Sequence, residues 1–360
     1  MAHLKISNIN IQGIVSCVPP TIEDNMEYPL FKEGEAEKVI GSTGIHYRRV
    51  ADADTTASDL CYQATLQLLK ELEWNREEID CLIFVSQSAD YKLPATSCVL
   101  QGRLGLPTTC FTLDITYGCP GWVYGLSTIA SLMQSGCMRR GLLLVGDTPT
   151  KFKSRNDKTA WPLFGDAGTA TAIEYDPKAA DMHFVLCTDG ASYRSIIIPD
   201  GGYRHPFSAS SLDEVKYGEG ICRTALDTSM DGMGVFSFGI KRAPEVTKEL
   251  MEAAGITVDD TDMFIFHQAN LFMNEKIRKK LGIPSEKMPY TLGNYGNTSC
   301  ATIPLTLSAS APHFPLTKQA QHIVATAFGV GLAWASVSLV LPPLKCIKLI
   351  EYVKENEPAS

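Results

Sequence analysis

TYGCPGW, residues 116–122, breaks the apolar run CFTLDI (110–115) and leads into the helical pattern WVYGLSTIASLMQSG (122–136). Two further segments stand at junctions of the same kind: FHQAN at 266–270, which closes the run MFIF, and NYGNTSCA at 294–301. Each carries one chemically capable side chain, Cys119, His267 or Asn297. In open α/β sheets ligands bind beyond the carboxyl ends of the strands, so residues distant in sequence converge there. A thiol nucleophile with two neutral hydrogen-bond donors is the equipment for thioester chemistry.

Working outward, short apolar runs alternate with helical patterns along the whole chain. CLIFVSQS (81–88), CFTLDI, GLLLVGD (141–147) and TATAIEY (169–175) read as strands, and DLCYQATLQLLKEL (59–72) as a helix. Near-continuous apolar strands predict sheets covered on both faces, an α/β class with mostly parallel strands. The second half repeats the first. Asp80 before CLIFV and Asp262 before MFIF stand 182 positions apart (262 − 80), and the same shift sets GLLLVG over IVATAF (323–328) and Cys119 over Ala301. The offset then falls to 164 between Gly165 and Gly329, so the first copy carries an added polar loop within DTPTKFKSRNDKTAWPL (147–163). The expected organisation is an N-terminal half at 1–178, a C-terminal half at 179–342 and a tail at 343–360 that packs as a helix after Pro343. Residues 203–230 look like an insertion.

Composition narrows the function. The 360 residues are 45% hydrophobic and 20% charged, which suits a globular protein with a large core. A net charge of −8 argues against nucleic acid as the partner. No apolar run is long enough to span a bilayer, and MAHLKISNINIQG has no signal-peptide core, so no membrane and a cytoplasmic location are expected. Eleven scattered cysteines without metal-like spacing predict no metal and no cofactor, and fit a reducing compartment.

At the sites themselves, Gly118 and Gly121 let the backbone turn sharply around Cys119. A helix that starts directly afterwards predicts a lowered thiol pKa. In Phe328-Gly329-Val330-Gly331 the glycines let a backbone N–H face the pocket, where it could join the Cys119 N–H around a developing oxyanion. Its counterpart FGDAG (164–168) reads as structural. Taken singly, Cys119, His267 and Asn297 each also fit a plain turn or core role. Their shared position at strand ends favours the chemical reading.

With DITYGCPG, LFGDAGTA, HQANLFMNEKIRKKLG, GNTS and FGVGLAWAS in this order, the chain resembles the thiolase-like superfamily over nearly all of 1–342, and most closely its β-ketoacyl-acyl-carrier-protein synthase III group. The resemblance implies a five-layered αβαβα fold from two duplicated halves and a homodimer. It implies that Cys119 takes an acyl group from acyl-CoA or acyl-carrier protein, with the N–H groups of Cys119 and Val330 as oxyanion hole. A malonyl-carrier protein would follow, its enolate held by His267 Nε2–H and the Asn297 amide after decarboxylation, with Phe328 walling off the cysteine. Leu93 matches a position that reaches into the partner subunit's acyl tunnel. Lys38 and Ser42 stand where the family clamps CoA with Trp and Arg, and Phe272 where an arginine docks carrier protein, so the donor stays open. Basic residues remain for an entrance: Lys276, Arg278, Lys279 and Lys280 on one helix, and Lys151, Lys153, Arg155 and Lys158 in the added loop.

The main alternative is a related acyltransferase that moves the acyl group to an oxygen or nitrogen acceptor. Thiolase proper is disfavoured because FGVGL lacks a second cysteine, and hydroxymethylglutaryl-CoA synthase because SQSAD offers Gln87 but no glutamate. A non-catalytic subunit is disfavoured because Cys119 is present.

Overall fold

Two-sided burial explains the continuous apolar strands. In the computed structural model, which describes residues 1–354, the main strands are β1 (Ala2–Ile6), β2 (Ile9–Val18), β3 (Cys81–Val85), β4 (Phe111–Ile115), β5 (Arg140–Asp147), β6 (Ala167–Tyr175), β7 (Met182–Thr188), β8 (Met263–Phe266), β9 (Gln321–Gly329), β10 (Ala333–Leu341) and β11 (Cys346–Glu351). The helices are α1 (Glu35–Thr43), α2 (Ala57–Leu72), α3 (Thr96–Leu104), α4 (Gly121–Met133), α5 (Gly232–Ala254), α6 (Leu271–Leu281), α7 (Leu292–Tyr295) and α8 (Thr302–Ser310). Side chains alternate across a strand. On β3, Ile83 and Val85 face a central core while Leu82 and Phe84 face an outer one. On β8, Ile265 faces the same central core, and Phe264 and Phe266 a second outer one.

Five layers result. Helices α2 and α3 cover one face of a six-stranded sheet of order β11-β2-β6-β5-β3-β4. Helices α4 and α8 lie between it and a five-stranded sheet of order β1-β7-β10-β9-β8, and α5 with α6 covers the far side. The repeat is visible in the pairing. β2-β6-β5-β3 and β7-β10-β9-β8 each run antiparallel, antiparallel, parallel. Asp80 and Asp262 play one part in both copies: their carboxylates accept from the Arg139 N–H (2.6 Å) and the His322 N–H (2.7 Å) at the start of the neighbouring strand.

Two expectations are corrected. The sheets are mixed rather than mostly parallel, because continuous apolarity reports burial on both faces and not strand direction. Nor is the tail a helix: β11 adds to the edge of the six-stranded sheet, parallel to β2 with Cys346 opposite Gly13. Residues 355–360 of the tail lie outside the described residues. The 203–230 segment folds into a ribbon, Val215–Gly218 with Ile221–Arg223, that docks on the added loop through Lys158 N–H to Gly220 O (2.9 Å) and Cys222 N–H to Asn156 O (2.9 Å). Its end, Ser229–Met230, reaches the cavity described next. No helix of the described residues is long and apolar enough to cross a membrane.

Candidate active site

A cavity of about 530 Å³ lies where the loops after β4, β8 and β9 meet, and Cys119, His267, Asn297, Phe328, Gly329 and Val330 all line it. β4 delivers Cys119 to the start of α4. The turn is tight because Gly121 N–H bonds to Gly118 O at 2.7 Å. Gly118 has no room for a side chain: a Cβ there would overlap Gln87 Oε1 and Val330 Cγ1. Gly329 is fixed by Cys119, since a Cβ would lie 2.6 Å from Cys119 Sγ. Its bare backbone lets the next N–H, that of Val330, reach the Cys119 sulfur.

The lowered thiol pKa is not what the structure gives. Burial pushes the Cys119 thiol up to about 11, the Asp147 carboxylate adds to the rise, and the Val330 N–H and the Lys153 ammonium only partly oppose it. Desolvation outweighs the helix start because the sulfur sits in an apolar cavity rather than at an open helix end.

His267 closes β8, with its N–H on Thr326 O at 2.8 Å. Its ring is buried, edge-on to Phe328 with centroids 5.7 Å apart, and Nδ1 lies 2.8 Å from Thr302 Oγ1. Burial pulls its pKa down to about 3, so the imidazole is neutral at ordinary pH. The neighbours in HQAN are structural. Gln268 donates to Phe266 O at 2.7 Å, and Asn270 caps α6 by accepting from Met273 N–H at 2.9 Å.

Asn297 is held from both halves of the chain. Its N–H bonds to Leu163 O (2.8 Å), and its carbonyl accepts from Gly165 N–H (3.2 Å). Gly165 is needed there because a Cβ would overlap Tyr295 O. The side-chain Oδ1 accepts from Ser299 N–H at 2.9 Å, which leaves the amide NH₂ as the free end. FGDAG serves this packing: Asp166 accepts from Thr150 Oγ1 (2.6 Å) and Ala51 N–H (2.7 Å).

The predicted entrance residues do not gather at one place. Lys276 lies 4.7 Å from the centroid of Phe272, which lines the cavity. Lys158 is paired with Glu35 at 2.7 Å, and Arg278 is bound by both carboxylate oxygens of Glu275. Lys279 lies 3.9 Å from the same carboxylate, and Lys280 reaches Ile240 O. Gly331 follows Val330 away from the cavity lining, and Leu93 is 79% exposed on the surface before α3. Lys151 bonds to Ala53 O, and Arg155 stacks on Trp161. Lys153 is the correction among these: it is buried in the cavity wall, not at the entrance. Sequence reading also missed Ser299 and Thr302, which orient Asn297 and His267; nothing in NTSCAT distinguishes them from helix-start residues.

Two family models match the chain: 3-oxoacyl-[acyl-carrier-protein] synthase III over residues 113–190 and its C-terminal part over 251–341. The chain is 32% identical to the beta-ketoacyl-[acyl-carrier-protein] synthase III of Caldanaerobacter subterraneus subsp. tengcongensis, over 91% of this chain and 96% of that one. It is 31% identical to the protein of the same name from Rhodopirellula baltica, over 93% and 99%. The crystal structure of 3-oxoacyl-(acyl-carrier protein) synthase from Burkholderia xenovorans LB400 superposes with a TM-score of 0.91 at 39% identity, covering 98% of this chain and 99% of that one. The fold is thus the thiolase-like αβαβα fold of two duplicated halves. The chain belongs to the 3-oxoacyl-[acyl-carrier-protein] synthase III family and is an acyltransferase of that type.

Proposed function

We propose that this enzyme catalyses a decarboxylative Claisen condensation between an acyl thioester and a malonyl thioester, in fatty-acid or specialised lipid synthesis. The observation that carries the reading is the Asn297 amide, fixed with its NH₂ free in the same cavity as Cys119 and neutral His267. In the first step the Cys119 sulfur attacks the thioester carbonyl. A new S–C bond forms, the old C–S bond breaks, and the thiol proton leaves on the carrier thiol. The Cys119 and Val330 N–H groups bind the oxyanion. In the second step the malonyl thioester oxygen lies on His267 Nε2–H and the Asn297 amide. Thr302 Oγ1 lies 2.8 Å from His267 Nδ1 and 3.1 Å from Ser299 O, and this tautomer requires its hydroxyl to donate to Nδ1 in place of Ser299 O. Loss of carbon dioxide leaves an enolate that both donors stabilise. Its carbon attacks the acyl carbonyl, and Cys119 departs from a β-ketoacyl product. Neutral donors suit this step, since a charged imidazolium would hold a proton for the carbanion.

The partners in this reading are an acyl-CoA or acyl-carrier protein as donor and malonyl-carrier protein as extender, in the cytoplasm. Lys276 beside Phe272 supports a basic rim for an acidic carrier or a CoA phosphate. A homodimer is supported by the exposed Phe111 and Leu113 on the free edge of β4 and by exposed Leu93. Transfer to an oxygen or nitrogen acceptor is the lesser reading, because it has no use for the Asn297 and His267 donor pair.

The test is intact mass spectrometry of the protein with a panel of acyl-CoA and acyl-carrier-protein donors, with Cys119→Ala as control. An adduct confined to the native protein, followed by carbon dioxide release on adding malonyl-carrier protein, is the expected result. Acyl transfer to an amine or alcohol without carbon dioxide would overturn it.

A further inference from the structure

Among the described residues, Lys153 is the one charged side chain in the cavity lining. It is 9% exposed, whereas Met233 and Phe272, which form the mouth, are 75% and 52% exposed. Its ammonium donates to Thr228 Oγ1 at 2.7 Å, and the Thr228 hydroxyl in turn donates a hydrogen bond to Phe152 O at 2.9 Å. Nζ lies 4.6 Å from the Phe152 ring centroid and 4.4 Å from that of Phe164. Among the described residues it forms no ion pair, unlike Lys158 of the same loop. An ammonium has three N–H donors, so this one keeps two free in a largely apolar cavity.

A buried, unpaired charge costs stability. Burial accordingly pulls the Lys153 pKa down to about 7, with the Cys119 sulfur, Asp147, Asp227 and Asp157 acting weakly the other way. Such a group at the inner end of a cavity is in place for a ligand that completes it. In that reading, a thioester arm entering past the exposed Met233 and Phe272 and ending at Cys119 would turn its acyl group towards the buried part of the lining, where Lys153 lies within electrostatic reach of the Cys119 sulfur.

Building on the thioester reading above, we propose that Lys153 binds a carboxylate on the acyl group that Cys119 accepts, which makes a dicarboxylic acyl thioester the preferred donor. The acyl donor fits better than the malonyl extender. An ammonium gripping the malonyl carboxylate would stabilise the very anion that must leave as carbon dioxide, while a distal carboxylate on the donor takes no part in the chemistry. Thr228 beside Nζ offers that carboxylate a second, hydroxyl contact in place of the bond it now makes to Phe152 O.

The experiment compares rates of Cys119 acylation, read by intact mass, for succinyl- and glutaryl-CoA against butyryl- and pentanoyl-CoA. The proteins are the native enzyme, Lys153→Met and Lys153→Arg, each also assayed for condensation with malonyl-carrier protein. The native enzyme is expected to favour the dicarboxylic donors about ten- to a hundredfold, the worth of a charge-assisted hydrogen bond. Lys153→Met should abolish that preference and Lys153→Arg keep part of it. Thermal melting checks the fold, and Lys153→Met is expected to melt no lower than the native protein. A native preference for the monocarboxylic donors, or a preference unchanged in Lys153→Met, overturns the proposal. So does a Lys153→Met enzyme whose donor choice is intact but whose KM for malonyl-carrier protein is raised, which would assign Lys153 to the extender. Absence of any Cys119 adduct from either donor class, offered both as the CoA and as the carrier-protein thioester, overturns the thioester reading itself and the inference with it.

Discussion

In the proposed mechanism Asn297 serves as a donor, because its acceptor end is already taken by Ser299 N–H. An amide fixed in this way needs no reorganisation when negative charge develops beside it. Asn297→Ala should therefore cut the condensation rate by roughly 100- to 1000-fold, the usual cost of one oxyanion-type donor. Cys119 acylation should stay near native, and rates of the two half-reactions measured separately would check this. His267 makes a second, pH-dependent prediction. Its pKa is about 3 in the fold, well below the ordinary value near 6.5. Above about pH 6.5 the ring is neutral both folded and unfolded, so it contributes nothing to the pH dependence. As pH falls from about 6.5 towards 3 the unfolded chain takes up a proton that the folded one refuses, and stability is lost. His267→Gln should lose less stability than the native protein over that range, measured by denaturant unfolding at a series of pH values. Equal losses in both proteins would mean that the ring is solvated.

Among the elements, α2 shows how local sequence is spent on anchoring. Thr56 and Asp59 form a reciprocal capping box: Thr56 N–H donates to Asp59 Oδ2 at 2.8 Å, and Asp59 N–H to Thr56 Oγ1 at 3.3 Å. The helix then buries Leu60, Ala64 and Leu68 against β2 and β6. Thr56→Ala should cost about 1 kcal/mol, read as a shift in denaturant midpoint with an unchanged slope. Activity should be unaffected, because α2 lies on the outer face away from the cavity. β11 carries a different lesson. KCIKLIEY follows two prolines and reads as readily as a helix, yet the free edge of β2 recruits it as a strand. Local pattern is silent about an unpaired edge 333 residues away (346 − 13).

For the whole molecule, the free edge of β4 is the feature that remains to be covered. Phe111 and Leu113 are exposed there, on the strand that delivers Cys119. An apolar, unpaired edge is a template for association. Phe111→Glu should convert the proposed homodimer to monomer in sedimentation velocity and should lower activity, since the loop carrying Cys119 follows directly. A dimer that survives the substitution would place the interface elsewhere.

Much of this was legible in the sequence. The strand ends, the repeat marked by Asp80 and Asp262, and the three junctions at Cys119, His267 and Asn297 were all readable, because burial and turn chemistry leave local traces in residue type and spacing. The family resemblance added roles that spacing alone could not assign. What the chain did not announce depends on residues brought together from far apart. Strand direction, the β11 strand and the rise in the Cys119 pKa each follow from packing, as do the orienting contacts of Ser299 and Thr302. Lys153 is the sharpest case. In KFKSR it looks like any solvated loop lysine, and only the closure of the 147–163 loop against Thr228, Phe152 and Phe164 buries it in the cavity. A side chain's type is local, but its dielectric surroundings and its partners are properties of the folded whole.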